Sequence, residues 1–289
     1  MTRYRYGLLM ISLLLQANLL FATEIYRAQD KAGNISFSDI PSENATKIRV
    51  QSQPYRYKHH VAKVYDGDTI ILKNGQHVRL LGINTPEIDS HFRQGQQGGE
   101  QAKKWLQQKI ESRDVYLEFD QQQRDKYDRT LAHVFLENGE HINQSLLEAG
   151  LATLSIIPPN LRHSDGLQQA QQQAENNNLG LWALPAYQAK TINPNQSISI
   201  ATGWHRFKVK PQQIKQTPKY VRLVLTNNLD IRIAKTDTDL FPDLTNYLNQ
   251  LIEVRGWVSR HGDHYSLLIR HPSALLSKKS DEQKVDPIL

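Results

Sequence analysis

The sequence predicts a mainly β fold with some α: a small closed barrel with short helices, then a second β-rich unit. Three observations predict it. Asn74-Gly75 links an apolar strand from Ile70 to Leu72 with a return strand carrying Arg79, and that dipeptide is a strong hairpin signal. Val115, Leu117 and Phe119 alternate as a half-buried strand does, and Leu131 to Leu136 is a further strand. Beyond residue 197, Val221-x-Leu223-x-Leu225, Ile252-x-Val254-x-Gly256-x-Val258 and Tyr265-x-Leu267-x-Ile269 repeat the alternation.

The bulk numbers fit this fold. A chain of 289 residues, 39% hydrophobic and 22% charged, has room for a real core in one large or two modest domains. The formal charge of +6 favours an anionic partner. No cysteine is present, which excludes disulfides, thiolate catalysis and cysteine-based zinc sites. Arg3 and Arg5 precede a mostly apolar run from Gly7 to Phe21, and Ala22 is the small residue expected before a cleavage site. Residues 1–22 are therefore expected to be a signal peptide, with a periplasmic or secreted product. No later run is long enough to span a membrane.

In chain order, residues 23–54 are expected to hold a small β-hairpin turning near Ala32-Gly33-Asn34, followed by a polar linker from Pro41 to Pro54. Residues 55–184 form the main barrel. Within it Ala102, Trp105, Leu106 and Ile110 share one face of a helix over 100–111, with Trp105 read as core. A second helix runs from Ile142 to Ala149 and stops at Gly150. A third spans 165–177, with Leu167, Ala170 and Ala174 inward and its glutamines solvated. Pro185 to Gln196 reads as a linker. Residues 197–275 form the second β unit, with an intervening helix from Phe241 to Leu248 and a turn at Gly262-Asp263. On pattern alone that unit resembles an oligonucleotide-binding (OB) barrel. Residues 276–289 are polar and expected to be a disordered tail.

Chemistry concentrates between Val64 and Glu87. The tight acidic turn Asp66-Gly67-Asp68-Thr69 and the segment Asn84-Thr85-Pro86-Glu87 sit at strand ends, with Arg79 on the strand between them. Carboxylates beside an arginine on a rigid hairpin can hold a hard cation and a phosphate together. A second basic cluster, Arg124-Asp125-Lys126-Tyr127-Asp128-Arg129, precedes the strand that starts near Leu131. The bland reading makes both turns plain turns and Arg79 a solvated edge residue. His59, His60, His77 and His91 match no metal-ligand spacing and read as solvated, and His133 reads as ordinary. Trp204, Arg206, Lys208, Lys210 and Lys215 make either a nucleic-acid arm or a solvated surface.

Four blocks in order, V-x-D-G-D-T at 64–69, R-L-L-G-I-N-T-P-E at 79–87, D-K-Y-x-R at 125–129 and N-x-x-L-x-x-x-G-L-A at 143–152, resemble the thermonuclease, or staphylococcal-nuclease-like, family over about residues 61–182. The resemblance implies a five-stranded OB-type β-barrel with three helices and calcium-dependent hydrolysis of DNA and RNA to 3′-phosphates. It implies that Asp68 ligates Ca2+ through its carboxylate and Thr85 through its main-chain carbonyl. It puts Asn84 where the family has a second ligating carboxylate. Glu87 would position or deprotonate water, Arg79 and Arg129 would grip the scissile phosphate, and Lys126 and Tyr127 would lie beside the nucleotide. Two departures stand out. Asn84 brings no charge to the metal, and Ser155, Ile156 and Ile157 follow the G-L-A block where the family often has tyrosines. Residues 24–39 resemble, with Ala28 in place of a tryptophan, a short domain that follows the leader in bacterial envelope proteins. Nucleic acid is the expected partner, and no obligate protein partner is implied. Asp68, Arg79, Glu87 and Arg129 are all retained, which favours an enzyme over the competing reading, a non-catalytic envelope module that binds nucleic acid or protein.

Overall fold

The structure is a computed structural model that describes residues 25–29, 35–38, 40–42, 45–48, 55–89, 94–194 and 197–277. The expected signal peptide, the turn at Ala32-Gly33-Asn34 and His91 lie outside these residues. Two compact units are present, Met1–Pro54 and Tyr55–Leu289.

In the first unit, β1 (Ile25–Gln29) pairs antiparallel with β2 (Ile35–Ser38), from Tyr26 opposite Ser38 to Gln29 opposite Ile35. This is the expected hairpin. A third strand, β3 (Thr46–Ile48), pairs with the other edge of β1, so part of the expected linker is ordered as sheet.

The second unit opens with β4 (Tyr57–Val64), β5 (Thr69–Leu72), β6 (His77–Leu80) and the short β7 (Gly82–Asn84). Helix α1 (Gly99–Ile110) leads to β8 (Asp114–Glu118) and β9 (Thr130–Phe135). Helix α2 (Ile142–Glu148), β10 (Thr153–Ser155) and α3 (Ser164–Asn176) complete this part. Five strands close a barrel in the order β4-β5-β6-β9-β8, the small closed barrel expected of strands joined by short helices. Val61, Ile70, Leu72, Val78, Leu117 and Val134 fill it and are almost wholly buried. Burying such side chains stabilises the fold by about 1.5–3 kcal/mol each.

Trp105 packs against the barrel core as expected, though half-buried, with the Lys109 ammonium over its ring. One residue-level expectation is corrected. Gln171 is buried, not solvated: its side-chain oxygen accepts from Leu154 N at 2.6 Å and ties α3 to β10. An unpaired main-chain N–H at that depth would be costly.

After α3 the expected linker is structured. Two 3-10 turns, Gly180–Ala183 and Pro185–Tyr187, lead to β11 (Lys190–Thr191). Then come β12 (Gly203–Val209), β13 (Gln213–Gln216), β14 (Tyr220–Thr226) and β15 (Leu229–Ala234). The chain ends with β16 (Ile252–His261), β17 (His264–Ile269) and β18 (Leu275–Ser277). The helix expected from Phe241 to Leu248 is instead a pair of 3-10 turns, Lys235–Leu240 and Leu244–Tyr247. These strands make an open sheet, β11-β12-β16-β17-β15-β14-β13, with β18 on β16. The alternating strands are where the sequence puts them, but no pairing among the described residues closes this sheet into a second barrel. Leu276 and Ser277 belong to β18, so the expected tail is ordered at its start, and residues 278–289 lie outside the described set.

The barrel and the open sheet meet through charge and aromatic packing. Glu175 on α3 pairs with Arg206 on β12 and Arg255 on β16, and Glu253 bridges both arginines. Burial pushes the Glu253 carboxyl up, but the charges and hydrogen bonds of Arg255 and Arg206 outweigh it and hold it below the usual range. Trp182 stands edge-on to Trp204 at 6.0 Å, with the Arg206 guanidinium 5.3 Å over its ring. Trp204 and Arg206 are thus spent on this junction and are not a free nucleic-acid arm.

Candidate active site

The acidic turn folds because Asp66 takes up the main chain locally. Its carboxylate accepts from Asp68 N at 3.0 Å, and Tyr65 N donates to Thr69 O across the turn. Gly67 is required by packing: a Cβ there would lie 2.7 Å from Thr85 Oγ1 and 2.8 Å from the Ala102 Cβ. The close approach brings the turn against the 84–87 segment.

Asp68 is buried and is the hub of the cluster. Its Oδ2 accepts from Thr85 N at 2.8 Å and pairs with Arg79 Nη2 at 3.0 Å, while Oδ1 accepts from Thr69 Oγ1 at 3.2 Å. Arg79 leaves β6 and is fixed by Leu80 O and Ile83 O, both at 2.9 Å, and by Asn84 Oδ1 at 3.1 Å. Asn84 in turn donates to Thr85 O at 3.0 Å. Four of the expected residues, Asp68, Arg79, Asn84 and Thr85, therefore form one hydrogen-bonded group. Burial and the neighbouring Asp68 charge push the Asp66 carboxyl up to about 6.

Glu87 follows on the same segment. Its main chain is tied to Gln96, with Gln96 N donating to Glu87 O at 2.8 Å and Glu87 N to Gln96 Oε1 at 3.2 Å. Pro86 and Glu87 pack on the start of α1, where a Cβ on Gly99 would strike Glu87 O at 2.4 Å.

Arg129 approaches from the other basic cluster. It shares a cleft of about 570 Å³ with Arg79, Asn84 and Lys126, a volume that suits a nucleotide-sized group. Asp125, which opens one of the sequence blocks but carried no expected role, holds it. Arg129 Nε and Nη2 reach Asp125 Oδ2 at 2.8 and 2.7 Å, and Arg129 N donates to Oδ1 at 2.9 Å. Burial raises the Asp125 carboxyl, but the Arg129 contacts prevail and keep it below the usual carboxylate range. The pair closes a turn in which Asp125 N also donates to Arg129 O at 3.0 Å. Tyr127 is exposed and lines an adjoining hollow with Tyr65 and His77, and Arg129 borders both spaces. The Lys126 ammonium stands 4.8 Å over the Tyr127 ring.

Asn143 is a further positioning residue that sequence reasoning missed, although it opens one of the sequence blocks. Fully buried, it accepts from Val134 N at 2.9 Å and donates to Leu81 O at 2.8 Å, joining β9 to the chain leading into β7.

Known proteins resemble this part of the chain. The model of the staphylococcal nuclease homologue family matches residues 77–184. The thermonuclease of Staphylococcus hyicus is 34% identical over 146 residues, covering 50% of this chain and 83% of that protein. The thermonuclease of Staphylococcus intermedius is 39% identical over 125 residues, 42% of this chain and 74% of that one. This chain belongs to the staphylococcal nuclease homologue family. Endonuclease YncB of Bacillus subtilis matches at 35% over 130 residues, 43% of this chain and 61% of that protein. Membership in the staphylococcal nuclease family supports a nuclease-type hydrolase.

The family's metal is the less direct match. Among the described residues no group of three or more His, Asp or Glu side chains gathers in a way that could hold a metal ion. The expected donor set explains this: it has one carboxylate, Asp68, and otherwise an amide oxygen and a main-chain carbonyl. All are hard oxygen donors, which fits a calcium-class cation and not a soft one. No helix among the described residues is long and apolar enough to cross a membrane.

Proposed function

We propose that this chain is an exported, calcium-dependent phosphodiesterase that hydrolyses DNA, RNA or both and leaves 3′-phosphate ends. The observation that carries the reading is one cleft bordered by Arg79, Asn84 and Arg129, with Asp68 bonded directly to Arg79 and Thr85 at its edge.

The chemistry follows from charge. A phosphodiester is anionic, and attack by water adds charge to its equatorial oxygens. Two guanidinium groups can bind that growing charge better than the ground state. Asp125 orients Arg129 through Nε and Nη2, while Arg79 gives Nη1 to Leu80 O and Nη2 to Ile83 O, Asn84 and Asp68, so Arg79 exchanges one of these partners to reach a phosphate. Glu87 acts as general base or positions the attacking water. The water oxygen bonds to phosphorus as the phosphorus–O5′ bond breaks; the water proton passes to Glu87, O5′ takes up a proton from solvent, and the products are a 3′-phosphate and a 5′-hydroxyl. Asp68, Asn84 and the Thr85 carbonyl would hold Ca2+, which supplies added charge neutralisation at the phosphate when bound. Lys126 and Tyr127 border the path of the flanking nucleotide.

The test is a digestion of DNA and of RNA with calcium, magnesium or a chelator, using wild type and Glu87→Ala. Cleavage that needs a divalent ion, leaves 3′-phosphate ends and fails in Glu87→Ala is expected. Intact nucleic acid with the folded, calcium-supplied wild type would overturn the reading in favour of a binding module.

A further inference from the structure

The open sheet also borders the cleft. Along β16, Val254 and Val258 turn into the sheet's own core, while Glu253 and Arg255 occupy the opposite face, where Arg255 meets Glu175 of the barrel. Strand alternation puts Trp257 next on that same face. It is 40% exposed, a large apolar surface left open to water. Trp257 lines the same cleft as Arg79, Lys126 and Arg129. The barrel's own wall there is Ser155, Ile157 and Pro158, with no aromatic ring. Arg270 fixes the spacing of the two walls. It bonds Asp237 of the open sheet at 2.6 Å and reaches Pro158 O of the barrel at 3.4 Å.

We propose that Trp257 is a base-stacking subsite for the nucleotide next to the scissile phosphate, supplied to the nuclease cleft by the second sheet. The inference rests on the phosphodiesterase reading for its ligand class. An indole face beside three cations matches a nucleic-acid strand, with an aromatic plane for the base and positive charge for the backbone. The base must be unstacked to reach it, so the fitting substrate is single-stranded or locally opened. The second sheet is then part of the substrate site, which explains why its junction with the barrel is so heavily paired. Arg270 is a positioning residue and touches no reacting atom.

Binding separates this proposal from the nuclease reading. The full-length protein is titrated, in chelator so that nothing is cut, with a fluorescent single-stranded oligonucleotide and with the same strand made abasic at one position at a time. Trp257→Ala is expected to weaken Kd by about tenfold. Trp257→Phe should stay near wild type, because it keeps an aromatic face. One abasic position should weaken wild type yet make no further difference in Trp257→Ala. A Trp257→Ala Kd unchanged within about twofold, or an equal loss on every abasic strand, would overturn the subsite. Cleavage in calcium is read separately: its absence in wild type sinks the nuclease reading, while Kd alone still decides the stacking subsite.

Discussion

At the scale of single residues, Asn84 is the side-chain ligand that the proposed function leaves uncharged. It stands between Arg79 and Thr85 and brings only an amide oxygen. Asn84→Asp should therefore tighten Ca2+ binding by on the order of tenfold, read by calorimetry. Equal or tighter binding by wild type would remove that role. A second residue-scale effect is acid sensitivity. Burial, and then the neighbouring His141 and His163, push His133 down to about 2. Burial, and then His163 and Arg56, push His141 down to about 3. Both rings stay neutral in the fold but take a proton once unfolded, near 6.5. The unfolded chain binds more protons, so stability is whole above that value and falls as pH drops toward the folded ones. Denaturant titrations between about pH 6 and 4 should show a slope of about two protons, nearer one in His141→Phe. A flat profile would contradict it. His133 read as ordinary from sequence because nothing local reveals that His141 and His163 pack around it. By contrast, the Asp68, Arg79, Asn84 and Thr85 group was legible, because its members lie within one hairpin and its exit.

At the scale of elements, β7 is where the site is aimed. The chain leaves the barrel at Leu81 and turns at Gly82, whose φ of +76° favours glycine. A Cβ there would also fall 2.4 Å from Leu167 Cδ1 on α3. Gly82→Ala should cost about 2 kcal/mol or more, seen as a lowered melting temperature. It should also slow cleavage, because β7 carries Asn84. An unchanged melting temperature would show that α3 yields freely. Element positions in the barrel were readable because their periods are strong: α1 and α3 begin and end within a residue of the expected bounds. The open sheet shows the limit of that method. Alternation identifies β14, β16 and β17 as strands, but closure depends on pairings between distant strands that alternation does not encode.

At the scale of the whole molecule, barrel and sheet are joined by residues far apart in sequence, such as Glu175 and Arg255, 80 positions apart, which no local pattern links. Both side chains are nearly buried. Glu175→Ala leaves Arg206 and Arg255 with Glu253 alone, and should destabilise the protein by about 3 kcal/mol or more in calorimetry. A shift near zero would mean the two halves are held by Trp182 and Trp204 instead. The junction matters for function because it fixes where Trp257 and Arg270 stand beside the two cleft arginines. The two cleft arginines are proposed to stabilise a phosphodiester being cut, and the most direct measurement is single-turnover cleavage by Arg129→Ala in calcium, with a melting curve on the same sample. The predicted result is a rate lower by about 10²–10³-fold in a protein that still melts cooperatively. Cleavage at the wild-type rate by that folded variant would contradict the claim.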